Sequence, residues 1–525
     1  MKHLFFILIF LPKFILAQSF YNVRDFGAGG DSSVNSTQQI QAAIDQCNEE
    51  GGGWVFFPPG NYLSGTIILK SNVSLYLESG ATLYASRDSA HYVEDYTTNT
   101  VAPRSPVLLF AENAENIGIE GNGEINGQAV REWDASRGVD GFIEEETRIA
   151  KEAGVDLSRF YKVPPVVNLI YFVSCHNVKF QHVRLIESSS WTLHLQWCRN
   201  VFIDKVYIYS DLEAGVNADG LDIDGCKNVV VSNCIIETGD DAIVLKTTNF
   251  NGKSESCENV TVSNCVLTST SAALKLGTES FADFRYITFD NCVIRNTNRG
   301  LGIIVRDGAT VSDVNFSNIV MECDRKHYHW WGDGDPIWLV LLRRNPDSKL
   351  GMIKNVVFEN ITATGQGTSK IEGHPERNLE NITLRNVKIK MNAEDKPDKR
   401  AQQALFAHHI DNLSLKGLDI AWETTRKEKK WAEAIKIENV NNFGINQATG
   451  IPGQIDQDLA FLNIQNSNNA VIQNIEATGN IPLLIRISGK SSGNLVLDDI
   501  NQLRLAAKSY IVDEEVNKNE ITIQP

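Results

Sequence analysis

Asp219, Asp240 and Asp241 are the residues of this chain whose type and spacing point most directly to chemistry. Asp240 follows Asp219 by 21 positions, about one coil of a solenoid built from repeats of roughly 20–30 residues. Segments one coil apart lie about 4.8 Å from each other, so we expect the three carboxyl groups to share one surface. Such a group suits glycoside hydrolysis, in which one carboxyl protonates the leaving oxygen and one or two others activate water.

The two adjacent aspartates place a condition on the backbone. Neighbouring residues of a regular strand point to opposite faces, so Asp240 and Asp241 face one cleft only if the chain bends or bulges there. Gly239 makes such a bend easy. Clustered acids also raise the pKa of at least one member, which predicts a proton donor near neutral pH.

A loose repeat from about residue 105 predicts the elements that position these acids. Its unit is roughly Asn-Val-x-Val-x-Asn-Cys/Val-x-Ile followed by a polar turn, with anchors at Asn177, Asn200, Asn228 and Asn259. Alternating aliphatic residues indicate short strands, and asparagine tolerates the left-handed turn conformation. We therefore predict an all-β, single-stranded right-handed parallel β-helix. A propeller or a sandwich fits this register less well.

The N-terminal part predicts a cap for that solenoid. Residues 36–46 have helical periodicity, with Ile40, Ala43, Ile44 and Cys47 on one face and Ser36 as a possible helix cap. An amphipathic helix over the first coil would cover its core and its strand edges.

The overall charge disfavours some classes of binding partner. The 525 residues carry a formal net charge of −16 and contain no run of Lys or Arg, which disfavours nucleic acid and anionic membranes. An anionic polysaccharide would need a local basic cleft.

Residues 1–17 resemble an export signal, with a short basic start and an apolar run that is too short to span a bilayer comfortably. We expect a mature protein from about Gln18, secreted or periplasmic, in which residues 18–525 form a single domain. A membrane anchor is the alternative for the first segment.

Nine cysteines, an odd number, would suggest a disulfide framework in an exported protein. Most of them instead recur at two phases of the repeat, where cysteine behaves as a small buried hydrophobe. We predict two ladders of mostly free thiols. No metal site is expected, because the sequence has neither a CxxC pair nor a His cluster at ligand spacing.

Three segments interrupt the repeat. Residues 128–163 are polar with a helical stretch near 144–153, residues 324–351 contain aromatic and basic clusters, and residues 391–402 are charged. Insertions in a solenoid often leave from one face and line the binding groove. We expect the first two to form cleft walls and the third to be an ordinary surface loop.

The chain resembles glycoside hydrolase family 28, the polygalacturonase family, in several of these segments. Residues 217–229 are similar to the family's Asn-Thr-Asp motif, residues 238–247 to its Gly-Asp-Asp motif, and the opening through residue 83 to its N-terminal end. The resemblance implies a pectin-lyase-like β-helix and an inverting hydrolysis without cofactor. It also implies that Asp240 is the general acid and that Asp219 and Asp241 activate water, with carboxyl groups roughly 6.5–9.5 Å apart.

The departures from the family bear on the substrate. No histidine stands in residues 271–278, where the family has one, and residues 302–307 read GIIVRD in place of an Arg-Ile-Lys motif. A modified or branched galacturonic-acid-containing chain, cut from its end, fits these changes better than plain homogalacturonan. The candidate substrate-binding residues are Asn217, Lys246, Lys275, Arg306 and Trp331.

Three nearby polar residues receive other assignments. Asp222 and Asp224 are expected to be structural or to support the site, and His194 to point outward or pack. Two alternative functions stay open: a polysaccharide lyase, which would need a Ca²⁺ site and a basic residue such as Lys246, and a glycan-binding solenoid without catalysis.

Overall fold

Short strands of alternating buried and exposed residues wind the chain into a pectin-lyase-like, right-handed parallel β-helix, which confirms the fold predicted from the repeat. The computed structural model describes residues 20–93, 106–133, 148, 151–152, 154, 160–326, 332–395, 399–456 and 458–524. The export signal predicted for residues 1–17 lies outside these ranges. None of the helices within them is long and apolar enough to cross a membrane.

Each coil contributes strands to up to three parallel sheets. The first sheet contains the strands that follow Asp219 and Asp241, and the second and third are numbered in the order in which the chain then enters them. The first sheet contains the strands Ile67–Ile68, Val107–Glu112, Asn168–Val173, Leu193–Gln196, Leu221–Asp224, Ile243–Thr247, Ala272–Ser280, Arg299–Val305, Asp335–Leu341, Ser369–Glu372, Ala460–Gln465, Ile481–Ser488 and Ala506–Val512, with the first part of Leu405–Trp422 and of Ile435–Gly450.

The second sheet contains Phe20–Asn22, Gly53–Phe57, Val73–Leu77, Glu115–Glu120, His176–Gln181, Arg199–Asp204, Lys227–Ser232, Cys257–Ser263, Phe284–Asp290, Gly493–Ile500 and Ile521–Ile523. The third contains Gly60–Ser64, Ala81–Ala85, Glu124–Asn126, Arg184–Ile186, Tyr207–Tyr209, Ile235–Thr238, Val266–Ser269 and Val293–Thr297. The long strands Thr310–Cys323, Met352–Gly365, Leu379–Met391 and Asn468–Ala477 run through the second and third sheets.

The predicted cap is present as an α-helix over Thr37–Glu49, and its apolar face is buried as expected. Ser36 occupies the N-cap position, as predicted, but its side chain makes no capping bond. Asn35 takes that role: its Oδ1 atom accepts from the backbone N–H of Thr37 at 2.9 Å. Short 3-10 helices occur at Val23–Phe26, Ser89–His91 and Lys518–Glu520.

The core runs along the axis of the solenoid and includes the cysteines. All nine are buried and free, which agrees with the prediction of mostly free thiols that was made from the cysteines recurring in the repeat. Cys198 and Cys226 occupy the same phase in adjacent coils, and the Cys226 Sγ atom accepts from the Cys198 backbone N–H at 3.3 Å. These thiols therefore pack as part of the apolar interior.

A ladder of asparagine amides joins successive coils at the beginning of the second-sheet strands. Its members all have positive φ angles, and each one after the first donates from Nδ2 to Oδ1 of the preceding member at 2.8–3.1 Å: Asn72, Asn116, Asn177, Asn200, Asn228 and Asn259. The repeat requires asparagine there because one residue supplies both the left-handed turn and the bonds between coils.

We expect Asn228→Ala to lower the free energy of unfolding by about 2–3 kcal/mol, because it removes two ladder bonds and strains a φ angle of 59°. Asn228→Gly removes the same bonds without that strain, so it should cost about 1 kcal/mol less. Urea unfolding midpoints for the three proteins provide the measurement. Equal midpoints for Ala and Gly would show that the backbone angle carries no cost.

The first two insertions differ in how far the structure describes them. Part of residues 128–163 forms an antiparallel ribbon of Arg131–Trp133 with Phe160–Lys162, whereas the predicted helix over 144–153 falls mainly outside the described residues. Treating 324–351 entirely as an insertion was wrong, because Asp335–Leu341 is a regular strand of the first sheet. Its run of aliphatic residues supplies the core contacts that this coil needs.

Candidate active site

The register of the first sheet brings the predicted acids together. Asp219 and Asp241 each stand two residues before a strand, Leu221–Asp224 and Ile243–Thr247, in adjacent coils. The backbone N–H of Gly220 donates to the Asp241 carbonyl at 2.8 Å, which fixes this alignment. One carboxylate oxygen from each of Asp219, Asp240 and Asp241 lies within 4.8 Å of the others. The clustering of the three acids inferred from the 21-residue spacing is therefore present, and all three residues are largely buried.

The bend predicted at Asp240 is also present, and hydroxyl groups hold it. The Asp240 carbonyl accepts from Thr238 Oγ1 at 2.8 Å and from Ser269 Oγ at 2.7 Å. Its carboxylate accepts from the backbone N–H groups of Asn217 at 3.0 Å and Asp241 at 2.9 Å. The carboxyl group is thereby oriented by the chain on both sides of the site.

Gly239 is required at this bend for space, not for an unusual backbone angle. An added Cβ atom would lie 2.3 Å from the Asp211 carbonyl oxygen and 2.4 Å from the Gly215 Cα atom. The loop that carries Asp219 therefore packs directly against the backbone that carries Asp240.

Lys246 is surrounded by acids. Its Nζ atom lies 3.2 Å from Asp219 Oδ2, 3.1 Å from Asp222 Oδ1 and 3.7 Å from Glu279 Oε2. It also lies 3.8 Å from the centre of the Trp191 ring. Burial acts to lower the pKa of Lys246, but the charges of Asp219 and Asp222 outweigh it and raise that pKa well above its usual value. Lys246 is thus a permanent buried cation that neutralises part of the acidic cluster.

Lys275 is the counter-ion of Asp241. Its Nζ atom lies 2.5 Å from Asp241 Oδ2, and its side chain is only 10 % exposed. The other oxygen of Asp241 accepts from Ser271 Oγ at 2.8 Å and from the Ala272 backbone N–H at 3.1 Å. Every one of these contacts favours the ionised carboxylate.

The three acids consequently have different proton affinities. Burial, and then the charges of Asp219 and Asp241, raise the pKa of Asp240 to about 8. Burial also acts to raise the pKa of Asp241, but Lys275 and Lys246 outweigh it and lower that pKa below its usual value. Burial raises the pKa of Asp219, although Lys246 opposes the effect. At neutral pH the site combines a protonated Asp240 with an ionised Asp241.

Asp222, Asp224 and His194 support the site, in line with their assignment. Asp222 contacts Lys246, and Asp224 Oδ1 accepts from the Thr248 backbone N–H at 2.8 Å. His194 is 5 % exposed, lies 3.3 Å from Asp224 Oδ2 and stacks on Tyr171 with ring centres 4.5 Å apart. Packing, the second option given for His194, is what the structure shows.

The remaining predicted binding residues lie at different positions. The Asn217 side chain is exposed next to Asp240. Arg306 follows the strand Arg299–Val305 and is partly buried, with its backbone N–H donating to Ser280 Oγ at 2.9 Å. Trp331 lies outside the described residues. The substrate-binding roles of Asn217, Arg306 and Trp331 stay predictions.

Sequence reasoning missed three residues of the site, namely Lys162, Ser271 and Glu279. Lys162 lies at the end of the ribbon, where the charges of Asp219 and Asp240 act on it. Ser271 was considered only as part of a segment without histidine, although a hydroxyl one coil beyond Asp241 is in place to bond it. The regular spacing of the repeat does not indicate that Glu279 belongs to the site. It lies near Lys246 because the strand register shifts between Leu245 and Thr247.

Three clustered carboxylates are also a donor set that a divalent cation accepts. In this site Lys246 and Lys275 lie against Asp219 and Asp241 and already supply positive charge. These two lysines therefore neutralise part of the negative charge that a bound cation would otherwise balance.

Solved structures share this architecture. The Family 28 exopolygalacturonase of Yersinia enterocolitica aligns with a TM-score of 0.61 at 21% identity, covering 81% of this chain and 78% of that one. The exopolygalacturonase of Thermotoga maritima aligns with a TM-score of 0.58 at 23% identity, covering 71% and 87%. At these identities the likeness shows the fold.

Curated relatives match over shorter stretches. A probable polygalacturonase of Vitis vinifera is 28% identical over 42% of this chain and 43% of its own, and an exo-poly-alpha-D-galacturonosidase of Dickeya chrysanthemi is 26% identical over 42% and 41%. The chain thus spans less than half the length of these two relatives. An endo-polygalacturonase of Pectobacterium carotovorum subsp. carotovorum is 25% identical over 68% of this chain and 85% of its own. The model of glycosyl hydrolases family 28 matches residues 57–405, more than half of the sequence, and the chain therefore belongs to that family.

Proposed function

We propose that the protein hydrolyses glycosidic bonds of a galacturonic-acid-containing polysaccharide or oligosaccharide, releasing residues from the chain end. The observation that carries the proposal is the cluster of Asp219, Asp240 and Asp241, with one oxygen of each within 4.8 Å of the others and with Lys275 and Ser271 bonded to Asp241 alone of the three. The pair of Asp240 and Asp241 supplies the acid and the base that cleavage of a sugar acetal requires.

The reaction follows from the positions of these groups. Asp240 transfers its proton to the glycosidic oxygen as the bond from that oxygen to the anomeric carbon breaks. Asp241, held as a carboxylate by Lys275 and Ser271, takes a proton from the water that adds to the carbon, and Asp219 lies within reach of the same water. The products are two shorter sugars, and the proton gained by the base returns the site to its starting state through solvent.

The relatives described above support a galacturonate substrate, and they include both an exo-poly-alpha-D-galacturonosidase and an endo-polygalacturonase. The missing histidine in residues 271–278 and the altered motif at 302–307 favour a modified or branched chain. Export through residues 1–17 would give the protein access to it, and N-terminal sequencing of secreted protein tests that step.

One direct measurement determines the stereochemistry of hydrolysis at the anomeric carbon. We expect inversion, with the β-anomer appearing first from an α-linked galacturonate oligomer, because a water bound between Asp240 and the two other acids attacks from the opposite face. Proton NMR during the first minutes of reaction reads the anomer. First release of the α-anomer would instead show retention and would reassign one carboxylate as the nucleophile.

The same reaction mixture separates the alternative functions. Hydrolysis gives saturated products and survives chelation of divalent cations. A lyase would give an unsaturated product that absorbs in the ultraviolet, and a binding solenoid would give no product at all. Either of the last two results would remove the hydrolase proposal.

A further inference from the structure

A group of basic side chains lies on the loop of residues 423–434, several coils away from the acids. Residues 426–430 read RKEKK, a basic cluster that Glu428 interrupts. With a lysine of the neighbouring loop these side chains line one open depression of about 430 Å³, and we call its five cations the basic surface: Lys399, Arg426, Lys427, Lys429 and Lys430. The whole chain has a formal net charge of −16, so the basic surface has the opposite sign to the molecule that carries it.

Buried contacts fix the loop that carries most of these cations. The Glu428 side chain is buried, lies 3.1 Å from Lys399 Nζ and accepts from the Glu394 backbone N–H. Trp431 is also buried, with its ring centre 4.9 Å from that of Trp422. The loop is therefore anchored at two points, and its exposed lysines project from a defined backbone.

Two acidic residues next to the basic surface are paired with its arginine. Asp395 and Glu423 lie 2.6 Å and 2.9 Å from Arg426. Lys427 and Lys429 are exposed, and neither has an acid within 4.0 Å among the residues that the structure describes. These two lysines are therefore available to an external anion.

The basic surface lies on the same edge of the solenoid as the acids. The loop of residues 211–220, which carries Asp219, connects the third sheet to the first. The loop of residues 423–434 makes the same connection, since it joins the end of Leu405–Trp422 to Ile435–Gly450. Six successive pairings of the first sheet separate the strand after the last of the three acids from Ile435–Gly450, or about 29 Å at about 4.8 Å per coil. A long chain bound at the acids can extend along this edge to the basic surface, whereas a disaccharide is too short to do so.

We propose that the basic surface is a second docking site for the polyanionic substrate, which binds a galacturonate polymer by its carboxylates at a distance from the point of cleavage. The inference rests on the proposed function for the choice of polymer. Each contact between an exposed lysine and a carboxylate is weak. It nevertheless adds to the affinity of a chain that is already bound at the acids, because the second contact is then intramolecular. A polymer attached in this way stays near the acids after each cut.

An anionic bilayer is the other kind of partner that a basic surface can bind. The shared edge favours the polymer, because a bilayer over the basic surface would also lie along the edge that carries Asp219 and would restrict the access of a glycan to the acids. Vesicles of phosphatidylglycerol are therefore included in the test as a second probe.

The test compares the double variant Lys427→Gln/Lys429→Gln with the control Lys205→Gln/Lys416→Gln. Lys205 and Lys416 are exposed at the junction of the second and third sheets, away from this edge, and both double variants change the net charge equally. All binding measurements are made in proteins that also carry Asp240→Asn, which slows cleavage. Titration calorimetry gives the Kd for polygalacturonate, for digalacturonate and for the vesicles, and circular dichroism confirms folding.

We expect Lys427→Gln/Lys429→Gln to bind polygalacturonate about 3- to 10-fold more weakly than its parent and to bind digalacturonate with unchanged affinity. The control should bind both as its parent does, and high salt should remove the difference on the polymer. Equal losses in the two double variants, or no loss in either, would overturn the inference. Loss of vesicle binding without loss of polymer binding would also overturn it and would assign the basic surface to an anionic bilayer.

The outcome also separates this inference from the proposed function. If the unaltered protein cleaves no galacturonate polymer but binding of the polymer depends on Lys427 and Lys429, the proposed function is wrong and the docking site stands. If the polymer is cleaved but its binding does not depend on these two lysines, the function stands and the inference is wrong.

Discussion

Asp240→Asn is expected to lower kcat on a natural galacturonate oligomer by about 10²–10⁴-fold, the usual contribution of a general acid. The amide has nearly the same shape as the carboxylic acid, but its single oxygen can accept from only one of the two N–H groups, those of Asn217 and Asp241, that bond the two carboxyl oxygens of Asp240. It has no proton to give to the leaving oxygen. A steady-state assay, with circular dichroism to confirm folding, provides the measurement.

The dependence of the rate on the leaving group tests whether Asp240 acts as the general acid, and not only whether it is important for activity. An aryl galacturonoside whose phenolate leaves without protonation should be cleaved by Asp240→Asn nearly as fast as by the unaltered protein. Asp419→Asn, an exposed change on a distant coil, should affect neither substrate. Equal losses on both substrates would contradict the role of Asp240 as the acid.

The pH profile of the unaltered protein should show the same group. Asp240 must be protonated to act, and its pKa is raised to about 8, so activity is present below that pH and falls as the pH rises through it. Asp241 must be ionised, and its pKa is lowered, so that requirement is met throughout the neutral range. In Asp240→Asn the fall at high pH should disappear.

Lys275→Met is expected to have the second largest effect, on stability as well as on activity. It leaves Asp241 buried, 2 % exposed, without its closest counter-ion. Breaking a buried ion pair from one side typically costs about 3–5 kcal/mol, and the remaining carboxyl responds by taking up a proton. We therefore expect a lower unfolding midpoint in urea and a loss of about 10²-fold or more in kcat/KM, because the base is protonated.

The double variant Lys275→Met, Asp241→Asn separates the two effects. It removes both charges, so most of the lost stability should return while the activity stays low. Lys275→Arg keeps the charge and should retain stability. A double variant that is no more stable than Lys275→Met would show that the pair is not the source of the cost.

Local patterns predicted the fold and the acidic cluster because both depend on the repeat. Turn asparagines and alternating aliphatic residues set the coil, and the coil length alone brings Asp219 beside Asp241. Each of these features is decided within one or two coils.

Local sequence patterns could not predict the features that depend on irregular segments. Lys162 reaches the acids through a ribbon that pairs residues about 30 positions apart, and nothing in its own neighbourhood marks it. Lys275 was considered as a substitute for a substrate-binding cation, but the structure shows it bonded to Asp241. The sequence could not separate these two uses, because both require a cation on the same face of the same strand.

The reactivity of the nine buried thiols can report whether the coils of the solenoid have separated. Burial raises the pKa of Cys198 and Cys226, so the neutral, unreactive form persists while the coils stay closed. A thiol-specific reagent would therefore label the chain only as fast as segments of the solenoid separate. In an oxidising medium the same sulfur atoms, stacked in adjacent coils, become reactive neighbours whenever they are uncovered, so coil closure has to outpace cross-linking during maturation.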